Sequence, residues 1–336
     1  MPDVLVAGAS GSAGALAARL VDRHPHFELA AVTSRSDVGR ALDELYPHHR
    51  VRRELEELDL DRHGDADAAI VAYPHGASAP VVAGLRERGV PVVDLSADFR
   101  LRDLATYEQW YVKHPAPELI DEAVYGLPEL HRERIRDAKL VANPGCYPTA
   151  TLLALAPLAR AGAIADVIVD AKSGVSGAGR KADEKTHFVS ADENVTPYGV
   201  GRHRHMPEID QELAGLGNDV TTAFTPHLVP LDQGEMVSCY VTLRDGVRVG
   251  VAEGDLQALY EEAYAGEPFV ELAGKPPGVR DVRDTNVARI FVHGDERTGK
   301  AFCFCVIDNL WKGAASQAIQ NLNLMFGLPE DAGLQA

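Results

Sequence analysis

Cysteine is scarce in this 336-residue chain: Cys146, Cys239, Cys303 and Cys305 are the only four, and none belongs to a CxxC pair. Their spacing suits neither a disulfide framework nor a zinc site, so free thiols are expected. Long apolar runs are missing as well. The richest stretch, TLLALAPLARAGAIADVIV, is broken by Pro157, Arg160 and Asp166, well short of the roughly 20 apolar residues a membrane helix needs. No charged start followed by an apolar segment and a cleavage site precedes the first strand, which leads us to expect a cytoplasmic protein. Basic charge is in short supply: 33 Lys and Arg against 50 Asp and Glu give a net charge of −17. That balance repels nucleic acid and anionic membranes, and an anionic substrate would need a local basic pocket. Repeats, low-complexity tracts and flexible linkers are also lacking. What is present is apolar residue, 46% of the chain, enough to bury a large core and, at this length, to suggest two domains.

The first half alternates strand-like runs (VLVAG, LAAVTS, AAIVAY, VPVVDLS, KLVANP) with helical stretches after Gly14 and at ASAPVVAGLRERG. Such alternation predicts βαβ units and a helix-covered parallel sheet of Rossmann type. Past residue 150 the strand candidates lengthen: DVIVDAKSG, DVTTAFTPHLV, EMVSCYVTLRD, ARIFVHG and KAFCFCVIDNL. With the helix DLQALYEEAYAG among them, they predict an α+β domain built on a mainly antiparallel sheet. The final segment WKGAASQAIQNLNLMFG is helical by its apolar spacing and closes on Gly327. The expected division is a nucleotide-binding domain over 1–147, completed by 311–336, and a catalytic and dimerisation domain over 148–310. The acidic stretch ELEELDLDRHGDADAA reads as exposed, with no assignable chemistry.

Gly8, Gly11 and Gly14 in GASGSAG fall between the first strand and first helix, where glycine permits a tight turn and lets backbone N–H groups approach a pyrophosphate. The spacing is GxxGxxG, and a bland strand-to-helix turn is the competing reading. Where a dinucleotide site that selects NAD places an acid on the ribose, the second strand ends in Thr33-Ser34-Arg35-Ser36. A guanidinium flanked by hydroxyls suits the 2′-phosphate of NADP(H), the alternative being an ordinary surface arginine.

Cys146 follows Asn-Pro-Gly at the end of an apolar strand, with a helix beginning around Pro148. A helix N-terminus stabilises the thiolate, which is the nucleophilic form. Cys239, Cys303 and Cys305 lie inside apolar strands and read as core. His203 and His205 share a face of an extended segment, but no third ligand stands at a suitable spacing, so no metal is expected.

Seven motifs in this order, DLSADFRL at 94–101, NPGCYPTA around Cys146, DAKSGVSGAGRKA at 170–182, HRHMPEI at 203–209, TPHLVPLDQG at 225–234, LYEEAYAGEPFV at 259–270 and DNLWKGAA at 308–315, resemble the N-acetyl-γ-glutamyl-phosphate reductase family over almost the whole chain. Aspartate-semialdehyde dehydrogenase and, more remotely, phosphorylating glyceraldehyde-3-phosphate dehydrogenase are the wider relatives. The resemblance implies NADPH-dependent reduction of an acyl phosphate, with Cys146 as nucleophile and His205 as its acid–base partner. It implies phosphate binding by Ser96 and Arg100, and a role for Glu208 toward the histidine or the substrate amide. It places Gly8, Ser10, Gly11, Ser12, Ala13, Ser34 and Arg35 on the cofactor, Ser173 and Gly174 beside the nicotinamide, and Asn309 and Lys312 where the last helix returns to the cofactor domain. The Cys146 N–H and the Asn143 side chain are candidates for the oxyanion. A homo-oligomer, dimer or tetramer, is implied, with a small-molecule substrate and neither nucleic acid nor membrane as partner. Two positions depart from the family: Ser12 stands where an aromatic residue is usual, and Met206 where Thr or another small residue is usual.

Three alternatives stay open. A reductase of carrier-protein-linked glutamyl or aminoadipyl phosphate would share nearly all these motifs, although NPGCYPT inclines toward the free acetylated substrate. Aspartate-semialdehyde dehydrogenase has a different histidine and arginine signature from the one at 203–209. A non-catalytic NADP-binding redox sensor would not need both Cys146 and His205.

Overall fold

Short valine, isoleucine and alanine runs in the first half fold as strands buried on both faces, with Val4 to Ala7 and Ala68 to Val71 all at 0–1% exposure. Continuous apolar strands of this kind suit a parallel sheet covered by helices. The computed structural model describes residues 1–180, 183–246 and 254–334. They form two units, Met1–Gly145 with the segment from Ala314 onward, and Cys146–Gly313.

In the first unit β1 (Asp3–Ala7), β2 (Glu28–Thr33), β3 (Ala68–Val71), β4 (Val92–Asp94), β5 (Val124–Tyr125) and β6 (Leu140–Ala142) form a fully parallel sheet of order β2-β1-β3-β4-β6-β5. The chain steps outward from β1 to β2 and then crosses back to β3. The crevice beyond the carboxyl ends of β1 and β3 is therefore a topological switch point, the usual ligand position in a Rossmann-type sheet. Helices α1 (Ser12–Asp22), α2 (Ala79–Glu87), α3 (Pro128–Arg136) and the C-terminal Ser316–Met325 belong to this unit. The acidic stretch is less exposed than its composition predicts. Glu56 N–H donates to Val32 O and Glu56 O accepts from Ser34 N–H, which fastens the stretch to β2 and buries Leu55 completely.

The second unit carries a seven-stranded sheet, β11-β12-β13-β10-β7-β9-β8. Its strands are β7 (Ile164–Ser173), β8 (Thr196–Pro197), β9 (Ala223–Leu228), β10 (Glu235–Leu243), β11 (Val270–Leu272), β12 (Ala288–Asp295) and β13 (Lys300–Ile307). The sheet is mixed and mostly antiparallel, the β7–β9 and β11–β12 pairs being parallel. One face alternates Val167, Val169 and Ala171 with Val237, Cys239 and Val241 and with Ala301, Cys303 and Cys305, all 0% exposed. On these strands packs α4 (Cys146–Arg160), Tyr147 to Ala159 of which are buried. Helices α5 (Met206–Gly215) and α6 (Asp255–Ala263) also belong to this unit, and Ser316–Met325 of the first unit is α7.

The nucleophile's helix begins at Cys146, two residues before the expected start. Pro148 does not prevent this, because first-turn N–H groups have no intrahelical acceptor to lose. The two- and three-residue strands β5, β8 and β11 were not foreseen, since they lie outside the long apolar runs and are too short to show a period; the helices α3 and α5 were not foreseen either. No helix among the described residues is long and apolar enough to cross a membrane.

Candidate active site

In the first unit the glycine loop is shaped by two different demands. Gly8 has φ +89°, and a Cβ there would lie 2.7 Å from Ala72 O; a Cβ on Gly14 would lie 2.3 Å from Gly8 O. Backbone packing thus requires both glycines. Gly11 is different: its backbone is ordinary, and a Cβ would meet only Gly8 O at 3.7 Å. Nothing in the protein needs glycine there, so its bare Cα leaves room beside the N-terminus of α1, whose N-cap Gly11 supplies no side-chain cap. Ser12 and Ala13 open this helix. First-turn N–H groups at a switch point suit a dinucleotide pyrophosphate, and the residues present fit one.

Around the ribose end, Ser34 Oγ donates to Ser10 Oγ (2.8 Å) and accepts from Ser36 N–H and Asp37 N–H, both at 3.2 Å. Ser34, 1% exposed, therefore builds the loop from which Arg35 projects. Arg35 is exposed; its guanidinium lies 4.7 Å from the Tyr73 ring centroid and donates to Ala77 O at 3.3 Å. Two charged neighbours escaped the sequence reading. Asp37 accepts from Ser36 Oγ at 2.7 Å and pairs with Arg40 at 3.4 Å, so an acid does stand near this position, immediately after the Thr33–Ser36 segment.

A second polar cluster of the first unit contains Ser96, Arg100 and Asn143. Asp94, fully buried, accepts from Ser78 Oγ (2.5 Å) and Ser96 Oγ (2.6 Å), and burial pushes its carboxyl up to about 6. Asp98 receives Gly76 N–H, Ala79 N–H and the Tyr107 hydroxyl at 2.7–2.8 Å, fixing the start of α2. Ser96 also accepts from Asp98 N–H at 3.0 Å. Its hydroxyl shapes the 94–100 loop. Arg100 is 8% exposed and donates to Asn143 O (2.8 Å) and Leu95 O (2.7 Å). Asn143 has a packing task as well. Its amide donates to Ala314 O (3.2 Å) and accepts from Asn321 (3.0 Å), tying α7 to the end of β6.

The second unit begins with Cys146 itself. It is the only partly exposed thiol; Cys239, Cys303 and Cys305 are 0% exposed, and burial pushes Cys303 up to about 12 and Cys239 up strongly. As the first residue of the 15-residue α4, Cys146 lies at the positive end of the helix dipole. Gly313 packs directly against it: a Cβ on Gly313 would stand 2.7 Å from Cys146 Cβ and 3.3 Å from Ile307 Cδ1. Tyr147 Oη lies 3.0 Å from Tyr198 Oη, and the Tyr147 ring meets His203 and His205 edge-on at 5.7 and 5.9 Å.

The two histidines differ. His203 Nδ1 accepts the His205 backbone N–H at 3.2 Å, its ring is wedged among Tyr147, Tyr198 and Phe224, and burial holds its pKa down at about 4. His203 is thus a neutral packing group. His205 occupies the N-cap position of α5, and Glu208, 1% exposed, follows three residues later on the same helical face. Met206 is the first residue of that helix.

The other predicted residues of this unit form a rigid turn. Gly174 N–H donates to Gly234 O (3.0 Å), and a Cβ on Gly174 would come within 2.5 Å of Asp232 O. Asn309 accepts from Gly234 N–H (2.7 Å) and donates to Ser176 Oγ (3.0 Å). It locks the glycine-rich loop after Ser173, whose hydroxyl donates to Gly174 O. Lys312 is fully buried, with its ammonium 5.6 Å from the Phe269 ring centroid. Lys181 and Ala182, at the end of the glycine-rich motif, lie outside the described residues, and no metal-ligating cluster occurs among the described ones. Sequence reasoning missed Tyr198, Gly313 and Glu235. Glu235 had a legible signal, an acid at the head of the apolar run MVSCYV, and the structure buries it completely.

Two family models match: a semialdehyde dehydrogenase NAD-binding domain over residues 3–138 and a semialdehyde dehydrogenase dimerisation domain over residues 146–309. Curated proteins named N-acetyl-gamma-glutamyl-phosphate reductase are similar along the whole chain. The one from Syntrophobacter fumaroxidans is 49% identical, covering 99% of this chain and 97% of that protein. The one from Desulforudis audaxviator is 50% identical, covering 99% and 98%. Among solved structures, aspartate semialdehyde dehydrogenase II of Vibrio cholerae, complexed with ASA, aligns with a TM-score of 0.73 at 19% identity over 97% of this chain and 98% of that one. The aspartate semialdehyde dehydrogenase of Candida albicans, solved with NADP, aligns with a TM-score of 0.72 at 14% identity over 97% and 98%. These structures share the fold.

Proposed function

The chain belongs to the N-acetyl-γ-glutamyl-phosphate reductase family, and on that premise we propose that it converts N-acetyl-γ-glutamyl phosphate to N-acetylglutamate semialdehyde and phosphate with NADPH, through a thioester on Cys146. The observation that carries this reading is the contrast among the thiols. One stands partly exposed at a helix N-terminus beside the tyrosine and histidine cluster, and three are sealed in the core. The names of the full-length relatives supply the substrate.

Cys146 Sγ attacks the acyl carbon, the bond to phosphate breaks, and a thioester forms. Arg100, with Ser96 in the same loop, is assigned to the departing phosphate by family resemblance, which answers the need for local positive charge in an acidic chain. A reduced nicotinamide, when bound, supplies the hydride. The Cys146 N–H, at the head of α4, is the backbone donor for the resulting oxyanion, and His205 acts as acid–base on the reacting groups, with Glu208 to orient it or the substrate amide. Ser173 and Gly174, held by Asn309, form the rigid loop assigned to the nicotinamide, and Lys312 fixes the segment leading into α7. NADP is preferred through Arg35, whose exposed, ring-supported guanidinium suits a 2′-phosphate. Assembly as a homo-oligomer is supported by the dimerisation-domain description of residues 146–309.

The test is turnover in the oxidative direction with NADP, phosphate and each candidate semialdehyde. Activity with free N-acetylglutamate semialdehyde is expected. Activity confined to a carrier-linked or aspartyl substrate would replace the substrate assignment, and inactivity with all of them would favour a cofactor-binding sensor.

A further inference from the structure

Glu235 opens β10 in register between Ser173 of β7 and Ile307 of β13, and it is 0% exposed. A carboxyl group buried so deeply ordinarily gathers backbone N–H or hydroxyl donors, as Asp94 and Asp98 do in the first unit. Among the described residues, no N–H or O–H group donates to either Glu235 oxygen. The side chain that faces it and favours its charged form is Cys146. The same corner holds Gly313, which lies against both Cys146 Cβ and Ile307 Cδ1, Glu235's partner in the ladder. The other titratable groups around the carboxyl are Tyr147 of α4, Tyr198 after β8 and Asp308 after β13. None of these is a cation. A buried acid kept against a thiol, where an apolar side chain would pack at lower cost, calls for a role that only an acid can fill.

We propose that Glu235 is the proton partner of Cys146, taking the sulfur's proton as the sulfur attacks and returning it when the carbon–sulfur bond breaks. The inference rests on the reading of Cys146 as a nucleophile, and it divides the proton traffic: Glu235 serves the sulfur, and His205 serves the substrate oxygen. In the first step the S–H proton moves to the Glu235 carboxylate, Sγ bonds to the acyl carbon, and the carbon–oxygen bond to phosphate breaks with its electron pair leaving on phosphate. In the last step the hemithioacetal oxyanion re-forms the carbonyl and the C–S pair returns to sulfur. The protonated Glu235 then restores the thiol and is again a carboxylate. The two transfers cancel, so the cycle consumes no group beyond substrate and hydride donor. Burial pushes Glu235 up to about 8, close to the ordinary thiol value of about 8.5. Donor and acceptor of similar proton affinity exchange a proton at little cost, and the pair titrates as a unit.

The experiment follows alkylation of Cys146 by iodoacetamide in the cofactor-free, full-length protein from about pH 5 to about pH 10, read by peptide mass; the three buried cysteines are silent controls. A coupled pair gives the wild type a two-step rate profile whose lower step falls below the ordinary thiol midpoint. A single step at or above that midpoint overturns the proposal without recourse to any variant. Glu235→Met and Glu235→Gln should each collapse the profile to one step. For Glu235→Met the rate at neutral pH should fall about tenfold or more, since one pH unit of midpoint corresponds to a factor of ten. Two-step profiles in both variants, or a midpoint that falls because a repelling charge has been removed, would refute the assignment. His205→Asn should keep the two steps; if it alone abolishes the lower one, the thiol's proton belongs to the histidine. An active Cys146→Ser would sink the nucleophile reading itself, whereas an inert Cys146→Ser with unchanged profiles in the Glu235 variants would sink only the proton partner.

Discussion

Replacing Gly313 with alanine tests whether the nucleophile's position depends on a missing side chain. The new Cβ would stand 2.7 Å from Cys146 Cβ and 3.3 Å from Ile307 Cδ1, whereas ordinary contacts begin at 3.4 Å, so the pair must separate by 3.4 − 2.7 = 0.7 Å. The backbone at Gly313 is outside the left-handed region and tolerates alanine, so the whole effect is steric. Overpacking of this kind costs about 1–3 kcal/mol. A shift of about 1 Å in a reacting group can cost about 10²-fold in rate. Gly313→Ala should therefore lower kcat by one to two orders of magnitude, by rough estimate, while its thermal midpoint falls by only a few degrees and cofactor titration is unchanged. Gly274→Ala, where nothing lies within 4 Å of the added carbon, is the matched control and should behave as wild type. Turnover and melting are measured on the same preparations. A Gly313→Ala enzyme with undiminished kcat would show that α4 yields freely at its N-terminus, and the claim that packing places the sulfur would have to be abandoned.

Cys146→Ser should bind NADP and fail to turn over, because an alkoxide is neither formed nor expelled as readily as a thiolate; near-normal activity would exclude the thioester. Arg35→Ala should weaken NADP and leave NAD affinity nearly unchanged in a fluorescence titration, and equal losses would show that Arg35 does not read the 2′-phosphate. His205→Asn should reduce kcat by about 10²–10⁴-fold with cofactor binding intact. His203→Asn, which removes a ring held neutral by burial, should cost far less in rate and more in melting temperature; the reverse order would transfer the acid–base role to His203.

The chemistry-bearing groups that could be read in the chain are those whose meaning is local. Cys146 is legible because a strand, Asn-Pro-Gly and a helix start are neighbours in sequence. Gly14 is legible because the turn that needs it is one loop long, whereas Gly8 answers both to its left-handed backbone and to Ala72 O from a distant strand end. The alternation of apolar runs likewise reveals two sheets, since it reports which faces are buried. Asn143, Ser96 and Asn309 show the limit of such reading. Each stands in a recognisable motif, yet Asn143 and Asn309 commit their side chains to neighbours remote in sequence, and Ser96 spends its hydroxyl on Asp94 and Asp98 of its own loop, so the motif reveals that the residue matters without revealing what it holds.

By itself, then, the order of residues determined the two-domain α/β plan, the glycine cradle and the identity of the exposed thiol, because strand and helix periods and tight turns are properties of short segments. Only the tertiary structure decided that Glu235 faces Cys146, that Gly313 leaves the nucleophile its room, and that His203 packs among Tyr147, Tyr198 and Phe224. Burial, hydrogen-bond pairing and proton affinity depend on what folding brings from elsewhere to the same few ångströms, and spacing along a chain does not encode that distance.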